Sequence, residues 1–216
     1  MSVGMAIAET RADTRADKAE IARAETRERI LDTADRLFRH YGYSKTTVAD
    51  IAREMGMSPA NVYRFFASKG EINEAMAHRM LGEKIARARH VAQLPLPASQ
   101  RITILAEGAY RDTIDTMIDD TKVHEMVTVA MEERWPIIAA HIERITELLA
   151  GVIAEGIVAG EFPPQDVKRS ASCLHQCFIS LVHPQLVAQC RNEPSFMPPP
   201  EMAKFALRAL KHPEID

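Results

Sequence analysis

At 216 residues, with 46% hydrophobic and 26% charged side chains, the chain can bury a sizeable core, and no apolar run approaches the ~20 residues that cross a bilayer. Its net charge of −3 excludes a uniformly basic polyanion binder, yet residues 27–92 hold 12 basic against 8 acidic side chains and are the only positive stretch. Three late cysteines, Cys173, Cys177 and Cys190, make no disulfide framework, and the N-terminus lacks a secretory leader's basic start and apolar run, so a cytoplasmic location is expected.

Residues 1–25 are rich in Ala, Arg, Asp and Glu and carry a short TRADTRAD repeat. With no apolar face to bury, they are expected to form a mobile arm, at most a frayed, salt-laced helix, and a solvated tail is preferred over one whose arginines touch DNA. From Arg27 the pattern changes. Ile30, Ala34, Leu37, Phe38 and Tyr41 recur at helical spacing, and Gly42 ends the helix. Thr47 caps the next helix with Asp50 as its capping-box partner, and Val48, Ile51, Ala52 and Met55 form its buried stripe. Gly56 supplies a turn, and Ser58 followed by Pro59 opens a third helix. Ser68 and Glu71 open a longer helix over roughly 69–92, and QLPLPAS at 93–99 breaks the chain.

Beyond this break the periodicity predicts only helices. They run over about 98–119, 122–132, 135–160, 166–190 (kinked at Pro184) and 201–211. Apolar faces are expected at Ile138, Ile142, Ile145, Leu149, Val152 and Ile153; at Val167, Leu174, Phe178, Leu181 and Val182; and at Met202, Phe205, Ala209 and Leu210. The fold class is all-α. The expected domains are an arm at 1–25, a helix-turn-helix unit at 26–76 with a connecting helix to about 92, and a helical domain at 93–216.

Two short helices around a glycine turn have helix-turn-helix geometry, in which the second helix enters the major groove. Val62 and Phe66, four apart, should face inward. Ala60, Asn61, Arg64 and Phe65 should face outward. Asn and Arg suit bidentate contact with adenine and guanine edges, and Ala60 admits close approach to a thymine methyl. Tyr63 is placed to reach a phosphate. Lys69 with the free N–H groups of the following helix makes a phosphate clamp, and Thr46 and Thr47 act similarly at the first helix of the pair. The same pattern also suits a plain packing unit with Tyr63, Phe65 and Phe66 in the core.

The string RILDTADRLFRHYGYSKTTVADIAREMGMSPANVYRFFASKGEI, within residues 27–76, resembles the N-terminal domain of the TetR (tetracycline-repressor) family of bacterial transcriptional regulators. That resemblance covers about a quarter of the chain. It implies that Tyr63 and Lys69 touch phosphates, and that Thr46, Thr47, Ser58, Asn61 and Arg64 contact backbone or bases. It also implies a helical ligand-binding and dimerisation domain downstream, a palindromic operator read by a homodimer, and release by a small-molecule inducer. In one departure, Phe65 stands where the family commonly has histidine, so a histidine–phosphate contact is impossible there.

Two further constellations draw notice. Cys173 and Cys177 share a helical face, but His175 lies opposite, and His183 and Cys190 are two turns apart. No metal site is expected, and buried cysteines in a dimer helix are preferred. Tyr110, Met117, Met126, Met131, Trp135, His141 and Phe178 are candidates to line a pocket for a bulky apolar or cationic inducer, with ordinary core as the alternative for each. No nucleophile elbow, P-loop, dinucleotide fingerprint or zinc-protease motif occurs, so neither an enzyme nor a cofactor is expected. The competing reading is a helical small-molecule carrier or partner-binding module that never meets DNA.

Overall fold

The structure is a computed structural model that describes the backbone of residues 3–117, 129 and 136–213, and the side chains of 17–115, 129 and 136–213. All regular elements among them are helices. The chain divides into two compact units, residues 1–76 and 77–216.

The first unit holds α1 (Val3–Tyr41), α2 (Val48–Glu54), α3 (Pro59–Tyr63) and the start of α4 (Lys69–Ala92). Residues 3–25 continue α1 as one 39-residue helix. Ala, Arg, Lys and Glu are strong helix formers, and nothing between Gly4 and Gly42 interrupts them. From Asp17 to Arg29 only Thr26 is even half-buried. Ile30, Leu31, Ala34, Leu37 and Phe38 then turn inward and are buried, as are Ile51, Ala52, Val62, Phe66 and Ile72 of the same unit. Gly42 takes a φ of 95° and donates to the Phe38 carbonyl at 2.9 Å, which ends α1. Tyr43 then folds back edge-on to Phe38 with ring centroids 5.2 Å apart.

The second unit is built on α5 (Ala98–Met117), α6 (Pro136–Val158), α7 (Val167–Cys177), α8 (Ile179–Val182), α9 (Pro184–Cys190) and α10 (Pro199–Lys211). Its core includes Ile102, Leu149, Val152, Ile153, Phe162, Leu174, Phe178, Leu181 and Leu210. The single helix expected over 166–190 is three helices. His183 adopts φ −80° and ψ 116°, the extended conformation that a following proline imposes, and Pro184 begins α9. A second break falls at Phe178, with φ −92° and ψ 1°. In this unit three residues expected on apolar stripes face solvent instead, Ile142, Phe205 and Ala209, as does Tyr41 at the end of α1. The helix expected over 122–132 lies outside the described residues. None of the described helices is long and apolar enough to cross a membrane.

Candidate nucleic-acid interface

Local chemistry sets the entry to each short helix. The Thr47 backbone N–H and hydroxyl donate to the Asp50 carboxylate at 2.9 and 2.6 Å, while the Asp50 N–H donates to the Thr47 hydroxyl at 3.1 Å. This is a complete capping box. The Thr47 hydroxyl and backbone hydrogen bonds, with Arg53 on the other carboxylate oxygen, hold the Asp50 carboxyl below its usual range. Met55 closes α2, and Gly56 turns the chain with φ 67°. The Ser58 hydroxyl then accepts from the Asn61 N–H at 3.3 Å, with Pro59 at the first helical position.

The resulting α3 is five residues long, too short to persist alone. Val62 and Phe66 are buried, and α3 packs on α2, which in turn packs on α1. Ala60, Asn61, Tyr63 and Arg64 are exposed, as is Ser58. One outward face therefore gathers an amide, a phenol and a guanidinium, all hydrogen-bonding groups.

Thr46 and Lys69 depart from the expected picture. Thr46 is only 2% exposed, and its hydroxyl donates to the Gly42 carbonyl at 2.9 Å. The hydroxyl braces the α1–α2 turn and is turned away from any surface contact, whereas Thr47 next to it is exposed. Lys69 is half-buried, with its ammonium donating to the Tyr43 carbonyl at 2.9 Å and lying 4.2 Å from the centre of the Tyr43 ring. It ties α4 to the turn after α1, so its ammonium is not the unengaged surface cation the clamp envisaged. The α4 entry is completed by the Glu71 N–H donating to the Ser68 hydroxyl at 3.1 Å and the Ala67 N–H donating to the Glu71 carboxylate at 2.7 Å.

Sequence reasoning missed two residues beside this face. The Arg27 guanidinium lies 4.7 Å from the centre of the Phe66 ring, and that of Arg23 lies 5.7 Å from the centre of the half-buried Phe65 ring. Both are within cation–π range. Their signal was the i, i+4 spacing of Arg23 and Arg27, which carries the Ile30–Leu31 stripe of α1 two turns towards the N-terminus.

The expected inducer pocket does not assemble as one set. Tyr110 is half-buried, 5.7 Å from Phe196 between ring centres, and lines an open groove of about 440 Å³ with Glu107, Arg111, Ile114, Pro199 and Pro200. Neither His141 nor Phe178 lines that groove; Phe178 is core. Burial, and then the charges of Lys84, His175 and Arg144, push the His141 imidazole down to about 4. Burial likewise lowers Lys84 to about 8, against the pull of Asp112. The Met117 side chain and all of Met126, Met131 and Trp135 lie outside the described residues. Of the cysteines, Cys173 is exposed and the other two are half-buried; burial raises the Cys177 thiol.

Residues 30–76 match the family model described as bacterial regulatory proteins, tetR family, and residues 98–197 match that of the tetracyclin repressor-like C-terminal domain. The HTH-type transcriptional repressor KstR2 of Rhodococcus jostii is 25% identical over 138 residues, 63% of this chain and 67% of that protein. A transcriptional regulator of the TetR/AcrR family from Thermobifida fusca superposes with a TM-score of 0.66 at 22% identity, covering 89% of this chain and all of the other. The regulator FadR from Bacillus subtilis, solved in complex with stearoyl-CoA, gives a TM-score of 0.59 at 17% identity, with 87% of this chain and 99% of that one covered.

Proposed function

This chain belongs to the TetR family of helix-turn-helix transcriptional regulators, and from that premise we propose that it is a homodimeric repressor whose α3 reads a palindromic operator and whose second unit binds a small-molecule inducer. The observation that carries the reading is the exposed Asn61–Tyr63–Arg64 face on a five-residue helix whose inner side, Val62 and Phe66, is buried. In this assignment Asn61 and Arg64 contact base edges, Ala60 lets the helix approach them, and Tyr63 binds a phosphate. Ser58 offers phosphates its hydroxyl, while exposed Thr47, whose hydroxyl and N–H donate to Asp50, acts by fixing the α2 entry whose following N–H groups face the DNA backbone. Thr46 and Lys69 act mainly by fixing the turn that sets α2 and α4, with the remaining N–H bonds of the Lys69 ammonium directed to the DNA backbone.

Dimerisation is assigned to α7 and α10, which pack on one another, together with α8. Phe205 and Ile179 are 58% and 44% exposed, large apolar groups suited to a four-helix contact with a second copy. Two copies of α3 would then enter successive major grooves ~34–36 Å apart. Inducer binding by the second unit is supported by its match to the repressor C-terminal model and by the fold shared with a regulator solved with stearoyl-CoA. The chain leaves the reader unit for the second unit within α4, so α4 is the covalent route for the response. An inducer that prefers the non-binding state by ~1–3 kcal/mol suffices.

The test is selection of DNA from a random library with purified protein, followed by gel shifts on the enriched sequence. Asn61→Ala and Arg64→Ala should each relax preference at one position by ~1–3 kcal/mol, while Lys69→Ala weakens all duplexes alike. Selection without an enriched palindrome, or three variants that bind as wild type, refutes the assignment.

A further inference from the structure

Phe65 stands where the family pattern carries a histidine, and its ring has acquired a partner from far along the chain. Arg23, exposed on the N-terminal part of α1, holds its guanidinium 5.7 Å from the centre of the half-buried Phe65 ring. Arg27, one turn later, sits 4.7 Å over buried Phe66 and anchors α1 at this register. The two arginines differ in their surroundings. Arg27 has a carboxylate neighbour, Glu28, at 3.8 Å. Among the described residues no ion pair joins a carboxylate to Arg23, whose exposed guanidinium carries five N–H donors. A guanidinium laid on an aromatic ring uses its face and leaves its edge for anions. Phe65 directly follows exposed Arg64, the C-cap of α3, so Arg23 sits at the C-terminal end of that helix.

We infer that Arg23, seated on Phe65, is a DNA-phosphate contact through which the N-terminal extension of α1 takes part in operator binding. This rests on the reading of α3 as the DNA reader. Phe65 has no polar atom and acts as the positioning residue: it restricts where the guanidinium sits. Arg23 supplies the charge that the ring cannot. Because the contact is to backbone, it adds affinity without sequence preference.

The experiment uses the full chain, the duplex that the wild-type protein enriches from a random library, and a scrambled duplex of the same length. Binding is measured from low to moderate salt for wild type, Arg23→Ala, Arg23→Lys, Phe65→Leu, and Arg23→Ala with Phe65→Leu, after circular dichroism confirms that each is folded. Arg23→Ala should weaken both duplexes by the same factor of about three to ten, and the slope of log affinity against log salt should become shallower by about 0.9, one phosphate contact. Arg23→Lys should keep most of the slope. Phe65→Leu should weaken binding in the presence of Arg23 and add nothing once Arg23 is alanine. An Arg23→Ala protein with wild-type affinity and slope overturns the inference alone, as does a Phe65→Leu loss that adds in full to that of Arg23→Ala. A wild-type protein that enriches no duplex overturns the DNA-reading assignment and this inference with it.

Discussion

Two glycines of α6, five residues apart, should respond to alanine in opposite directions. A Cβ on Gly156 would lie 2.5 Å from two Phe162 ring carbons and 2.8 Å from the Ala98 methyl, whereas one on Gly151 meets nothing within 4 Å. The ring cannot simply retreat. The Glu161 N–H donates to the Gly156 carbonyl at 2.8 Å and the Gly160 N–H to the Ile157 carbonyl at 3.0 Å, with Gly160 at φ 78°. That closure, a Schellman motif, delivers Phe162 onto Gly156. It also delivers the Glu161 carboxylate to the entry of α5, where it accepts from the Ser99 N–H at 3.1 Å and the Ser99 hydroxyl at 2.7 Å. Gly→Ala gains ~1 kcal/mol of helix propensity at either site. At Gly156 overpacking costs ~1–3 kcal/mol, and disturbing the Glu161 cap adds ~1 kcal/mol. Gly151→Ala should therefore be stabilising by ~0.5–1 kcal/mol and Gly156→Ala destabilising by ~1–3 kcal/mol. Urea unfolding at one protein concentration, with m-values compared, measures both. Phe162→Leu introduced with Gly156→Ala should return part of the loss. A Gly156→Ala protein as stable as wild type refutes the reasoning.

Thr47→Val removes the hydroxyl of the α2 capping box; it should cost ~1 kcal/mol, read as a Tm lower by ~2–4 °C, and a wild-type melt would exclude the cap's contribution. His141 titrates near 4 in the folded chain against 6.5 in the reference state. The unfolded state then binds more protons between those values, so stability should rise from pH 4 to 6.5 and level off above. His141→Leu should flatten that rise, and urea midpoints with an unchanged slope would discard the account. Lys84, pushed down to about 8 by burial, is protonated at neutral pH at a cost to the fold, relieved between 8 and 10.5. Lys84→Met should raise stability at pH 7 by about 1–3 kcal/mol and lose the alkaline rise, checked by the same titration. Phe205→Glu puts a charge on the proposed dimer face, and sedimentation should show a shift to monomer; an unmoved dimer would locate the interface elsewhere.

The helices that present the reader face were legible because their boundaries are written in local chemistry. Gly42, Thr47 with Asp50, Gly56 and Ser58-Pro59 act within four residues of themselves, and the structure uses each as spacing suggests. What local pattern does not carry is which of two like groups a turn buries. Thr46 and Thr47 are adjacent hydroxyls, yet the cap geometry sends one inward to the Gly42 carbonyl and leaves the other exposed. The break at Pro184 is local, set by the proline itself. The break at Phe178 has no proline or glycine beside it; there the ring's burial in the core accompanies the change of direction.

Phe65 shows the same limit at the candidate site. Read alone, a phenylalanine in place of histidine subtracts a polar contact and offers nothing in return. The compensation sits more than forty residues away, on a segment whose composition suggests a tail with no face to bury. An arginine needs no apolar stripe to dock a helix extension, because a guanidinium binds an aromatic face while remaining half in water. Hydrophobic periodicity is blind to such a face. The i, i+4 arginine pair on α1 and the adjacent Phe65-Phe66 pair are each unremarkable in sequence; only their meeting, 5.7 and 4.7 Å apart, makes the extension part of the reader unit. Substitutions at Phe65 should therefore be judged together with residue 23, since a histidine restored at 65 would carry its own hydrogen-bonding group and leave Arg23 with a weaker platform.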